Sequence, residues 1–157
     1  MMKENVQIID YQPLYKKAFK ELNQQWIEHY FTMEKMDYKV LDNPEEYVLN
    51  NGGYIAIALL NGKPVGTCAL MKSHADGFDY ELAKMGVSPK AQGHGIGYKL
   101  GLAIIQKAKS LGASNIFIES NTVLKPAINL YKKLGFIEIE AISTPYDRCN
   151  IQMELKL

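Results

Sequence analysis

The sequence has little from which to build a metal centre or a disulfide framework. Its 157 residues include two cysteines, Cys68 and Cys149, and three scattered histidines, His29, His74 and His94. The cysteines lack zinc-ligand spacing and the histidines form no HxxxH or HxH pair, whereas a zinc site needs three or four convergent ligands. No metal is therefore expected, and nothing suggests a secretory disulfide set. No apolar run reaches the length of a membrane span, and the segment Met1–Asn5 lacks the apolar core of a signal peptide. A soluble, cytoplasmic protein is the expectation. An excess of one charge is also missing: 18 Lys and Arg stand against 17 Asp and Glu, net +1. That balance argues against nucleic acid or an anionic membrane as the main partner. With no repeat, low-complexity tract or linker, residues 1–157 read as a single domain able to bury a sizeable core.

What is present is unevenly placed. Residues 1–83 carry a net charge of −4, residues 84–133 a net of +7, and residues 134–157 a net of −2. Apolar patterning predicts a strand at Val6–Ile9 and a helix from about Pro13, with Leu14, Ala18, Leu22 and Trp26 as its buried ladder. Residues 30–43 read as irregular and polar, and 44–49 as a short helix ending at Gly52-Gly53. Strands are predicted at 54–60 and 65–71. Asn61-Gly62 between them suits a type I′ hairpin turn, which needs positive φ at both central residues. A strand at 78–87, a helix at 96–111 burying Leu100, Ile104, Ala108 and Leu111, a strand at 115–119 and a helix at 124–134 follow. Two strands close the chain, the second with Ile151, Met153, Leu155 and Leu157 on one face. This order implies an α/β (α+β) fold with a mixed sheet covered by helices.

The segment Val87-Ser88-Pro89-Lys90-Ala91-Gln92-Gly93-His94-Gly95-Ile96-Gly97-Tyr98 carries the most chemistry. A strand ends, and glycines crowd the start of an amphipathic helix. Missing side chains let a ligand approach the backbone, and free N–H groups with the helix dipole favour an anion such as a phosphate. A Walker loop is excluded, because no Gly-Lys-Ser/Thr follows. A dinucleotide-binding fingerprint fails too, since Tyr98 stands where its third glycine belongs and Gly93 lies six positions past the strand end at Val87. Glu119 lies at the distance of a ribose-binding acid but does not repair that loop.

The run Gln92-Gly93-His94-Gly95-Ile96-Gly97 resembles the acetyl-CoA pyrophosphate loop of the GNAT (general N-acetyltransferase) superfamily. Upstream, Glu81-Leu82-Ala83-Lys84-Met85-Gly86-Val87 is similar to the family's central strand. Downstream, Asn121 and Ala127-Ile128-Asn129-Leu130-Tyr131-Lys132-Lys133-Leu134-Gly135-Phe136 resemble the family's A-x-x-L-Y-x-x-x-G-F signature. The match spans roughly residues 54–136. The central strand and the Trp26–Phe31 segment also resemble the acetyltransferase half of some two-domain bacterial regulators. The resemblance implies a sheet of about seven strands and four helices whose central strand pair splays apart.

It further implies acetyl-CoA as co-substrate, held by Met85, Gly86 and Val87 along the strand and by Gln92, Gly93, His94, Gly95, Ile96, Gly97 and Asn121. The N–H of Val87 would hold the thioester oxygen, a contribution of about 3 kcal/mol for a preorganised donor. Tyr131 matches the tyrosine that faces the CoA sulfur, and Glu81 the position where several members carry a catalytic glutamate. Each residue also has a purely structural reading. Tyr131 could pack as a core aromatic, Glu81 could be a rim carboxylate, Gly86 could serve packing, His94 could face solvent and Asn121 could cap a helix. Lys84 should point away from Glu81 and has no assigned role.

The implied function is acetyl-CoA-dependent N-acetyl transfer to a primary amine of a small molecule or protein. The rival is a non-catalytic acyl-CoA sensor acting through a protein partner. Residues 28–46 are net −4 and include Tyr30, Phe31 and Tyr38. This suggests an acidic, aromatic lip suited to a cationic acceptor. Dimers are common in the family, which implies a possible homodimer.

Overall fold

The computed structural model describes residues 5–157; the rest of the segment read for targeting, residues 1–4, lies outside them. Seven strands form one sheet: β1 (Val6–Asp10), β2 (Tyr54–Leu60), β3 (Lys63–Lys72), β4 (Tyr80–Val87), β5 (Asn115–Ser120), β6 (Ile137–Glu138) and β7 (Ile151–Lys156). Their spatial order is β1-β2-β3-β4-β5-β7-β6. All neighbours run antiparallel except β4 and β5, which are parallel. Five α-helices are present among the described residues: α1 (Lys16–Tyr30), α2 (Lys35–Asp42), α3 (Pro44–Tyr47), α4 (Ile96–Ser110) and α5 (Lys125–Leu134).

The sheet has a core on each face. On one, Leu100, Ile104 and Ala108 of α4 and Ile128 and Tyr131 of α5 bury Ala56, Cys68, Leu70, Leu82 and Ile116. On the other, Phe19 and Ile27 of α1 and Val40 and Leu41 of α2 cover Ile55, Ile57 and Ala69. Two sequence expectations fail on that second face. Leu14 is 70% exposed, and the buried stripe of α1 is Phe19, Asn23 and Ile27 rather than the Leu14–Trp26 ladder. The buried polar residue breaks the apolar count: Asn23 Nδ2 donates to the Phe19 carbonyl at 2.9 Å, and its Oδ1 accepts from Trp26 Nε1 at 3.0 Å. Within the supposedly irregular 30–43, α2 is a true helix closed by a capping box. The Glu34 side chain accepts from the backbone of Asp37, and Asp37 Oδ2 accepts the Glu34 N–H at 2.9 Å. Leu111, expected inside, lies past the end of α4 and is exposed. The hairpin is as expected, with φ of 52° at Asn61 and 82° at Gly62.

Strand β4 contains an irregularity that decides the site. Ala83 pairs with Ala69 and Gly86 with Thr67, so two residues, Lys84 and Met85, oppose the single Cys68. Lys84 takes φ of +53°, a backbone region that non-glycine residues enter only under constraint. This bulge resets the alternation. Before it, Glu81 and Ala83 face α1 and α2; after it, Lys84 and Gly86 do, while Met85 and Val87 turn towards α4. The sequence expectation that Lys84 points away from Glu81 is thus overturned.

Gly86 is required where α1 crosses the strand. A Cβ there would lie 2.6 Å from the Leu22 carbonyl oxygen and 3.2 Å from Trp26 Cδ1. Because the nearest obstruction is backbone, Gly86→Ala is expected to destabilise the fold by about 1–3 kcal/mol. Thermal unfolding should register this as a Tm several degrees lower.

Candidate active site

Beyond Tyr80↔Ile116 and Glu81↔Phe117, β4 and β5 no longer pair, although both strands continue. The gap opens into a cavity of about 750 Å³ that is lined by residues from both faces of the sheet. On the α4–α5 side it is bordered by Met85, Val87, Gln92, Gly93, Gly95, Ile96, Gly97 and Tyr131. On the α1–α2 side lie Trp26, Phe31, Met36, Met71, Glu81 and Lys84. Gly86 and Asn121 line it as well. One continuous space therefore passes through the sheet, with Glu81 at its narrow end, where β4 and β5 still pair.

The glycine loop forms the far wall. Gly93 and Gly95 have φ of +90° and +69°, and a Cβ at either would meet nothing within 4 Å. Here glycine serves backbone conformation and leaves open space for a ligand, not a packing gap. Gly95 caps α4, and the N–H of Lys99 closes the first turn on the Gly95 carbonyl at 3.1 Å. The N–H groups of Ile96, Gly97 and Tyr98 consequently have no acceptor within the helix, which makes this end an anion receptor. Half-buried His94 is not among the lining residues. Lys90, Lys99, Lys125 and Lys132 all remain exposed around this side. The N–H of Ser88 donates to the Val65 carbonyl of β3 at 2.7 Å. Successive N–H groups of a strand point to opposite edges, so that of Val87 faces the gap left by β5.

Tyr131 is buried and lines the cavity, its ring edge-on to Phe136 at 6.2 Å. Burial pushes its phenol up, so it stays protonated throughout the working pH range. The Asn121 side chain is engaged locally: Nδ2 donates to the Arg148 carbonyl at 2.7 Å, and Oδ1 accepts the Val123 N–H at 2.9 Å. It acts here as a loop brace between β5 and α5.

Glu81 is buried beside a second carboxylate that sequence reasoning passed over. Its carboxyl is pushed up to about 8, first by burial and then by the charge of Glu119, with Lys84 pulling the other way. The Glu119 side chain is only 2% exposed, and His74 Nε2 lies 3.1 Å from its Oε2. That contact is an ion pair only when His74 is protonated, and Oε2 accepts no hydrogen bond from the described residues. Gln152 Nε2 donates to the other oxygen at 3.2 Å. Donor atoms of His74, Glu81 and Glu119 all fall within 4.8 Å of one another. Such a group is arranged to receive positive charge. A charged residue inside the buried run Ile116-Phe117-Ile118-Glu119 was the available signal.

A second buried cluster fixes the floor. Asp37 accepts from Lys84 Nζ at 2.7 Å and from Arg148 Nη1 and Nη2 at 2.6 and 2.7 Å. Lys84 also donates to the Tyr146 hydroxyl at 3.0 Å. Glu34 accepts the Asp147 N–H at 3.0 Å and Arg148 Nη1 at 3.3 Å. Burial acts to raise the Asp37 carboxyl, but the Arg148 and Lys84 bonds outweigh it and hold it at about 2. The bulge lysine thus has its role: it ties β4 to α2 and to the segment between β6 and β7.

The profile of the acetyltransferase (GNAT) family matches residues 15–136. This chain belongs to that family. Among solved GNAT structures, an acetyltransferase from Staphylococcus aureus Mu50 superposes with a TM-score of 0.87 at 25% identity, covering 97% of this chain and 99% of that one. The putative acetyltransferase yncA from Salmonella typhimurium, solved with its cofactor acetyl-CoA, gives a TM-score of 0.76 at 20% identity and shares the fold, covering 97% and 94% of the two chains. By sequence, the chain is 35% identical over 75 residues to the uncharacterized N-acetyltransferase YjgM of Escherichia coli, 46% of this chain and 45% of that one. It is also 36% identical over 84 residues to an amino-acid acetyltransferase of Neisseria meningitidis, 53% of this chain but 19% of the relative. These matches span less than half the length of the curated relatives. Among the described residues, no helix is long and apolar enough to cross a membrane.

Proposed function

We propose that this GNAT chain transfers the acetyl group of acetyl-CoA directly to a primary amine, with Glu81 as base and Tyr131 as donor to the departing sulfur. The observation that carries this reading is the single cavity through the β4–β5 gap, which brings an anion receptor, a protonated phenol and a proton-accepting carboxylate to one space. Acetyl-CoA supplies the activated thioester carbonyl. Met85, Gly86, Val87 and the Gln92–Gly97 loop fit its pantetheine arm and pyrophosphate, while Asn121 braces the wall beside them. Glu81 takes the ammonium proton and frees the amine lone pair. The new N–C bond forms as the C–S bond breaks, the Val87 N–H receives the developing oxyanion, Tyr131 hydrogen-bonds the departing thiolate, and the second proton shed by the acylated nitrogen ends on that sulfur as free CoA thiol.

A carboxyl held at about 8 is protonated, and idle as a base, below that pH. Acetyl transfer should therefore rise with pH up to about 8. The test is CoA-thiol release from acetyl-CoA with a panel of primary amines, followed across pH 6–9 for the wild type and Glu81→Gln. Loss of that rise in Glu81→Gln supports the base assignment; an unaltered profile removes it. Absence of amine-dependent CoA release across the panel would remove transfer itself.

A further inference from the structure

The residues around the amine side restrict what can bind there, on the reading that this site transfers acetyl to an amine. None of the six acids of residues 28–46, expected to form an acidic lip, lines the cavity; Glu28 and Glu46 are exposed, and the other four are engaged elsewhere. Glu34 and Asp37 are joined to Arg148 and Lys84, Asp42 to Lys20 at 2.6 Å, and Glu45 accepts from the Tyr11 hydroxyl at 2.8 Å. The carboxyl groups left facing the cavity from the sheet are Glu81 and Glu119, deep in the gap, with His74 beside Glu119 and an oxygen of Glu119 that accepts no hydrogen bond from the described residues. Leading outwards from that pair, the α1–α2 wall is Trp26, Phe31, Met36 and Met71, all half-buried and apolar.

We infer that the acceptor is a primary amine carrying a single ammonium head on an apolar, ring-bearing body. The head sits between Glu81 and Glu119, and the body lies along Trp26, Phe31 and Met36. A carboxylate next to the amine is disfavoured twice. It would meet the two glutamates, and the nearby cations, Lys84 and Arg148, are already paired, giving two of three and three of five N–H donors to Asp37, Tyr146 and Glu34. A second ammonium farther along the ligand is disfavoured as well. It would leave water for an apolar wall bordered by Arg148, whose guanidinium lies over the Tyr146 ring at 4.7 Å and the Trp26 ring at 5.8 Å.

Three probes separate these cases: 2-phenylethylamine, L-phenylalanine (the same ring with an added carboxylate) and spermidine (further ammonium groups, no ring). With acetyl-CoA, kcat/KM for 2-phenylethylamine should exceed that of either other probe by about tenfold or more. Binding is read separately, because Trp26 is the chain's only tryptophan and lines the cavity. Its emission should change on adding 2-phenylethylamine in the presence of CoA, and Glu119→Gln should weaken that apparent affinity by about tenfold. Equal or better binding or turnover of phenylalanine or spermidine overturns the inference, as does the absence of any 2-phenylethylamine binding. If 2-phenylethylamine binds as expected but none of the three releases CoA, the acceptor pocket stands and the transfer reading falls.

Discussion

Tyr131→Phe should lower kcat for acetyl transfer by about 100-fold or more, the usual range for losing a positioned proton donor, with little change in KM for acetyl-CoA. The argument rests on proton affinity as well as position. An ordinary phenol, near 10, is a weaker acid than an ordinary thiol, near 8.5, so full proton transfer to thiolate is not strongly downhill. Burial raises the Tyr131 phenol further. The contribution proposed for it is therefore a hydrogen bond that strengthens as charge gathers on sulfur, present in the transition state and weak before it. Phenylalanine keeps the ring and its edge contact with Phe136, so the thermal midpoint should hold while turnover falls. Single-turnover kinetics with matched unfolding curves checks both halves. Undiminished kcat would reduce Tyr131 to a core aromatic.

Asp37→Ala should cost about 3–5 kcal/mol of stability, because it leaves two buried cations without their shared counter-charge. For a chain of this length that is on the order of 10 °C in Tm. Asp37 is fully buried, and it takes one bond from Lys84 and two from Arg148. Removing the carboxylate also frees the segment around Tyr146 and the strained bulge at Lys84. The pH dependence has a definite sign. The folded carboxyl titrates at about 2, below its usual value of 3.8, so its contribution is complete above that usual value and fades as pH falls towards 2. The Tm gap between wild type and Asp37→Ala, measured by calorimetry, should be full at pH 7 and narrow in acid.

How far the sequence could be read depended on whether a residue's partners were local. The Asn61-Gly62 turn, the glycine loop and helices α4 and α5 follow from neighbouring residues, and each is where the pattern puts it. The buried face of α1 was not legible, because Asn23 is a polar residue satisfied by its own helix and breaks the apolar count. Nor was α2, whose charged residues look solvated until Lys84 and Arg148 arrive from more than 40 positions away. Glu81 and Tyr131, singled out through their motifs, both line the cavity. Glu119 and His74 were not, since their closeness exists only once β5 lies beside β4 and the segment after β3 folds over it.

The bulge at Lys84 and Met85 also bears on how such a chain can change over generations. One additional residue turns Lys84 and Gly86 to α1 and α2 along with Glu81 and Ala83, and leaves Met85 and Val87 to α4. Substitutions in α1 and α2 alter the surroundings proposed for the amine while touching none of the glycine loop, and distant sites of this kind accumulate changes nearly independently. A lineage can thus explore new acceptors by drift on one side of the sheet while selection preserves its grip on a universal acyl donor on the other.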